Sequence, residues 1–194
     1  MPIILALDTA TSVASCALLR DGAPLGERET VARSVLAAAD DLLAAAGLEP
    51  TDLDGIVVGT GPGSFTSIRM GLAFARGLAL ATGAPVAGAS TFDAFAGGDP
   101  VIDARRGEVF AAGGVVARPE ELTVAGRTLV GDGAVRYRSV FEAAGATVPP
   151  DDDPSHRPRA ALLPAFASEF GPAALVEPTY LRAPDAVAPA RAAR

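Results

Sequence analysis

Gly59-Thr60-Gly61-Pro62-Gly63-Ser64-Phe65-Thr66-Ser67-Ile68-Arg69-Met70-Gly71 is the stretch on which the reading of this chain turns. Just upstream lies Ile56-Val57-Val58, a β-branched apolar run of the kind that forms a buried strand. Downstream, a helix is expected from about Phe65 to Thr82, with Gly83 placed to end it. A strand, a glycine-rich loop and a helix in that order leave backbone N–H groups at a helix amino terminus, where an anion is favoured. The loop nevertheless fits neither standard phosphate fingerprint. A P-loop needs G-x-x-x-x-G-K-[ST], and the chain has no lysine. The dinucleotide pattern needs a third glycine where Ser64 stands, and Pro62 intrudes. Two readings stay open: an anion site on Gly61, Gly63 and Ser64, or a tight turn packing the helix close to the strand.

Working outward, Ile3 to Leu7 is an apolar run ending at Asp8, and Val13 to Leu19 is a second one, followed by the turn signal Arg20-Asp21-Gly22. A more polar strand is expected over Pro24 to Glu29. Val31, Val35, Leu36, Ala39, Leu42, Leu43 and Ala46 then fall at helical spacing, with Thr30 placed to cap the start and Gly47 the end. Beyond the second helix, Val86 to Gly88 reads as a fifth strand, and Ser90 with Asp93 as a capping box. The order βββαβαβ is the pattern of a ribonuclease H-like half-domain, α/β with a mixed sheet.

The signal weakens after residue 99. Val101 to Ala104 and Glu108 to Val116 suggest a hairpin around Arg105-Arg106-Gly107, and Leu129 to Gly133 a strand running into a turn and a helix. Pro149 to Arg159 is Pro-rich and charged and reads as a mobile loop; Ala160 to Phe170 suggests one more helix. The division expected is a first half over 1–98, a reduced second half over 99–182, and a disordered tail over 183–194.

All 16 basic residues are arginines, against 23 acidic ones, for a net charge of −7. That balance argues against unaided binding to nucleic acid or an anionic membrane. The missing lysine excludes a Walker lysine, a Schiff base and a Ser–Lys dyad. No apolar run reaches the roughly 18 residues of a membrane span, and the opening carries no basic leader, so a cytoplasmic protein is expected.

Asp8, Thr9 and Thr11 follow the first strand, where an acid and hydroxyls could meet phosphate or metal; the alternative is a strand end closed by its own side chains. His156, the single histidine, reads as an exposed loop residue, and Cys16 as a small core hydrophobe. One histidine cannot supply a His-pair metal site, so no metal is expected. The second helix carries Gly71, Ala73, Ala75, Gly77 and Ala81, small residues suited to close approach by the sheet or by another chain.

Gly59 to Leu80 (GTGPGSFTSIRMGLAFARGLAL) resembles the signature of the TsaB (YeaZ) family. The resemblance extends to ILALDTATSVASCALL near the start, AGLEPTDLDGIVVG after the first helix, VIDARRGEVFAA at 101–112, LVGDG at 129–133 and PTYLR at 178–182. It implies an actin-like ATPase (ASKHA) architecture of two ribonuclease H-like halves. It also implies a non-catalytic paralogue of TsaD, the subunit that transfers threonylcarbamoyl to the adenosine next to the tRNA anticodon, with the ATPase TsaE as a further partner. The catalytic relative binds metal through His-x-x-x-His, which this chain lacks. Family dimers use the first two helices, which carries an interface onto Arg33, Ser34, Leu36, Asp40, Leu43, Arg69, Met70, Ala73, Phe74 and Gly77. A homodimer of the isolated chain, contact with tRNA only through the complex, no required cofactor and weak ATP, ADP or anion binding complete the expectation. Three departures stand out: Arg33-Ser34 replaces the usual His-Ser, Ser67 replaces a glycine, and the region after residue 113 is short. The competing enzyme reading is a small kinase or ATPase using Asp8 and the glycine loop; a metalloprotease is excluded by the missing histidines.

Overall fold

The structure, a computed structural model, describes residues 1–182, so the tail expected over 183–194 lies outside the described residues. Its first sheet contains β1 (Ile3–Asp8), β2 (Ala14–Arg20), β3 (Ala23–Thr30), β4 (Gly55–Gly59) and β5 (Val86–Ala89), in the order β3-β2-β1-β4-β5. The meander β1–β3 is antiparallel, and β4 and β5 continue parallel to β1. Parallel crossovers need a covering element, and α1 (Val35–Ala46) and α2 (Phe65–Thr82) supply it. Both helices pack on one face of the sheet, where Leu42, Leu43, Ile68, Leu72 and Ala75 meet Leu5, Leu7, Cys16, Leu18, Ile56 and Val58. The alternate residues Ala6, Ala17, Leu19 and Val57 are buried on the other face. Burial on both faces is why these strands are continuous apolar runs and show no alternation.

The second sheet contains β6 (Asp99–Arg105), β7 (Glu108–Ala111), β8 (Val115–Ala117) and β9 (Leu129–Val130), in the order β8-β7-β6-β9. Its first three strands are antiparallel and β9 is parallel to β6, so it repeats the connectivity of the first four strands of the first sheet. A 3₁₀ turn, Pro119–Glu121, stands where the first half has α1. Two short helices, α3 (Asp132–Arg136) and α4 (Arg138–Ala143), complete this reduced half, with Ala134 and Phe141 packed on Val101, Val109 and Leu129.

Several local expectations are corrected. Ser34, not Thr30, occupies the start of α1, because Ala32–Ser34 forms a separate 3₁₀ turn; neither cap position there contributes a side-chain bond. Glu108 to Val116 is not one strand: Gly113 and Gly114, both at positive φ, turn β7 back into β8. The stretch 160–170 forms a 3₁₀ helix only over Ala160–Phe166, interrupted by Pro164.

The stretch 149–159 is pinned in place, and His156 is buried within it. The Gly131 N–H donates to His156 Nδ1 at 3.1 Å, so Nε2 carries the proton and donates to the Pro149 carbonyl at 3.0 Å. Arg157 and Arg159 then pair with Glu29 and Glu27 of β3. Nor do all of residues 99–182 belong with the second sheet. Ala160 and Leu163 pack on the inner face of the first sheet, and Val86 pairs with Gly171 along the outer edge of β5.

Candidate functional site

The loop after β4 is tight because Gly59 faces Asp8 with no space between them: a Cβ on Gly59 would overlap Asp8 Oδ2. Asp8 has no exposed surface. Its Oδ1 accepts from the Ala10 N–H and its Oδ2 from the Thr91 hydroxyl, each at 2.8 Å. Thr91 Oγ1 in turn accepts from the Gly61 N–H at 3.2 Å, and the Thr91 N–H donates to the Gly61 carbonyl. Burial raises the Asp8 carboxyl above its ordinary range, against the two hydrogen bonds that lower it. Thr9 is equally buried and donates to the Ser67 carbonyl at 2.6 Å, where Gly71 leaves the room for it.

Asp8, Thr9 and Gly61 therefore support the loop from behind, while Thr11, Gly63 and Ser64 line an open cleft of about 490 Å³ between the two halves. The two oxygens of Asp8 point to Ala10 and Thr91, on the inner side of the loop. Ser64 caps α2, its Oγ accepting from the Ser67 N–H. On the far wall stand Asp103, Arg105 and Asp132. Asp132 Oδ1 accepts from the Asp103 N–H at 3.0 Å, and Asp103 Oδ2 pairs with Arg105 at 3.3 Å and Arg136 at 3.8 Å. Burial, first, pushes the Asp132 carboxyl upward, and the neighbouring Asp103 charge adds to it.

Hydroxyls on one wall and two half-buried carboxylates on the other can hold a small polar ligand. Among the described residues no group of three metal-binding side chains converges. His156 is committed to Gly131 and Pro149, and the Cys16 thiol, pushed up to about 12 by burial, is inert at neutral pH.

The second candidate surface is the outward face of α1 and α2. Leu36 is 55% exposed, Met70 38% and Leu80 90%. Arg33, Asp40, Arg69, Ala73 and Gly77 are also exposed, whereas Ser34 and Phe74 are half-buried. Leu43 does not belong to this face: it lies beside Leu42 in the core, on the side of α1 turned to the sheet. The small residues of α2 divide as well. Gly71 meets Thr9 and Leu7, while above Gly77 there is open space.

A strap formed by residues 172–182 runs along this face and reaches the cleft. Arg76 donates to the carbonyls of Ala173 and Val176, and the Thr179 N–H donates to the Thr60 carbonyl. Tyr180 stacks on Phe65 with centroids 4.8 Å apart, and its hydroxyl accepts from Arg69 Nε at 2.9 Å. Arg182 closes the strap on the second sheet through Glu108 and the Ala104 carbonyl. Thr91 carries no sequence motif of its own, while Arg76 lies within the Gly59–Leu80 match and Tyr180 within PTYLR, neither of which states what the side chain touches.

The family described as TsaD: tRNA N6-adenosine threonylcarbamoyltransferase matches residues 28–136. A solved structure described as YeaZ from Pseudomonas aeruginosa superposes with a TM-score of 0.78 at 29% identity, covering 93% of this chain and 100% of that one. The tRNA threonylcarbamoyladenosine biosynthesis protein TsaB of Escherichia coli is 39% identical over 121 residues, 55% of this chain and 52% of that protein. The chain belongs to the TsaB (YeaZ) family. An uncharacterised Mycobacterium tuberculosis protein, 39% identical over 207 residues, spans 94% of this chain and 93% of its own length. The family's α/β architecture, with its two mixed sheets, is the one described above. Among the described residues no helix is long and apolar enough to cross a membrane.

Proposed function

We propose that the chain is a non-catalytic partner subunit in the synthesis of tRNA threonylcarbamoyladenosine, supporting a TsaD-like catalytic subunit that modifies the adenosine beside the anticodon. The observation that carries this reading is the outward face of α1 and α2. Leu36 of α1 and Met70 and Leu80 of α2 are exposed on the two helices that cover one face of the sheet, and α2 also carries Gly77, a helix glycine with nothing above it. Exposed apolar side chains grouped on one face mark an interaction surface, and a glycine in a helix interior costs about 1 kcal/mol relative to alanine. The relatives named TsaB supply the pathway. A TsaE-like ATPase is the further partner, tRNA is reached through the complex, and the isolated chain pairs with itself on the same face. The cytoplasm is the place of action and no cofactor is required.

The cleft favours a secondary property, weak binding of ATP, ADP or another anion at Thr11, Gly63 and Ser64. An ATPase or kinase built on Asp8 is disfavoured because both its oxygens are engaged inside the fold.

The test is co-purification with the TsaD-like protein of the same genome, followed by threonylcarbamoylation of tRNA with and without this chain. A stable complex, and modification that depends on a chain inert by itself, support the reading. ATP turnover by the isolated chain, or no complex, overturns it.

A further inference from the structure

Arg69 and Arg76 of α2 are seven residues apart, so they leave the helix on one side, about 10 Å apart along its axis. Ala73 lies between them. With Leu72 below and Pro178 and Tyr180 of the strap alongside, they line a groove of about 370 Å³. Both guanidiniums are held in place. Arg69 lies over the Phe65 ring, 3.8 Å from its centroid, and its Nε donates to the Tyr180 hydroxyl. Arg76 donates from Nε and from one terminal nitrogen to the carbonyls of Ala173 and Val176.

Every one of those acceptors is neutral. Arg105, Arg127, Arg136, Arg138, Arg157, Arg159 and Arg182 all meet carboxylates. Among the described residues neither Arg69 nor Arg76 meets a carboxylate, so in an acidic chain the α2 groove holds two positive charges ordered by neutral partners alone. The side chains are already ordered by the strap, so little rotamer freedom is left to lose when a further acceptor arrives. Their remaining N–H groups suit an anionic oxygen, and the single methyl of Ala73 leaves room for one.

We propose that this groove receives a carboxylate side chain of the catalytic partner subunit, seated over Ala73 between Arg69 and Arg76. The inference rests on the partner-subunit reading above and adds the chemistry of one contact. The strap is then part of the interface, since without Tyr180 and the Ala173 and Val176 carbonyls the two guanidiniums lose their alignment.

The experiment is calorimetric titration of the full chain with the TsaD-like protein of the same genome, at several NaCl concentrations. Wild-type affinity is expected to fall as salt rises, because the contact is ionic. Arg69→Ala and Arg76→Ala are each expected to weaken binding on the order of 10- to 100-fold and to flatten that salt dependence. Tyr180→Phe, which keeps the ring and removes only the acceptor of Arg69 Nε, is expected to have a smaller effect in the same direction. Thermal melts check that each variant is folded, and the wild-type salt slope is informative without any variant. If the complex forms with unchanged affinity and slope in the Arg69→Ala/Arg76→Ala double variant, the groove proposal falls and the partner reading stands. If the wild-type chain forms no complex, both fall. If the substitutions disrupt only self-association, the groove serves a second copy and the assignment to the partner is wrong.

Discussion

Between Asp8 and Gly59 there is no space for a side chain on the strand residue, and that contact governs the loop behind which Asp8 sits. Asp8 bonds Thr91, Thr91 bonds Gly61, and the loop follows. Replacing Asp8 by alanine removes both acceptors, leaves the Thr91 hydroxyl without its partner and opens a void. A loss of about 2–4 kcal/mol in urea denaturation is expected. Asp8→Asn separates shape from charge. Burial raises the folded-state pKa above the ordinary 3.8, so the folded protein keeps this proton where the unfolded chain has released it. The contribution of Asp8 is then fully present below the ordinary value and is lost as pH rises through the folded value. Asn does not titrate, so Asp8→Asn should gain on wild type as urea midpoints are compared from about pH 4.5 to 8. A difference that stays constant with pH would show that the carboxyl is ionised throughout. The acid after the first strand carries two readings in the sequence, and its hydrogen-bond partner Thr91 lies eighty-three residues away, where no local pattern connects the two.

At the scale of elements, α2 was legible because loop, period and terminal glycine agree, but the purpose of its small residues was not. Spacing treats Gly71 and Gly77 alike, yet one faces Thr9 and the other faces open space. Gly71→Ala is expected to destabilise by about 1–3 kcal/mol, since the added methyl must displace Thr9 from its bond to Ser67. Gly77→Ala should stabilise the isolated chain by up to about 1 kcal/mol through helix propensity alone. Thermal unfolding of the two variants side by side checks the pair, and equal shifts would refute the assignment of faces. The stretch 149–159 differs from its sequence reading for another reason. Its prolines and charges describe a loop correctly, but composition does not reveal that His156 turns inward to accept the Gly131 N–H. His156→Ala leaves that donor unpaired at a buried site, and a cost of about 1–3 kcal/mol is expected, with faster amide exchange at Gly131.

For the whole molecule, two sheets of like connectivity are joined by segments that return from the end of the chain. Ala160 and Leu163 fill the space beneath the first sheet, and the strap runs from Arg76 past Tyr180 to Glu108. The first half could be derived from its runs and turns, because each strand is locally apolar and each turn carries its own signal. The path of residues 160–182 could not, because it depends on backbone contacts such as Ser168 to Gly88 and Thr179 to Thr60 that any side chain permits. Net charge is also a property of the whole chain, and it bears on whether the chain can bind tRNA by itself. Seven excess negative charges give a polyanion little to gain by approach. Arg105 and Arg106 at the β6–β7 turn do not reverse this, since Arg105 pairs with Asp103. In filter binding near physiological salt, the isolated chain is expected to hold tRNA no more tightly than about 10⁻⁴ M, the weak end of non-specific binding. On the proposed partner-subunit reading, a complex with a TsaD-like subunit is expected to bind tRNA more tightly than the isolated chain does. Micromolar binding by the isolated chain would place a tRNA contact on this subunit itself, and substitution of Arg105 and Arg106 would then be the way to locate it.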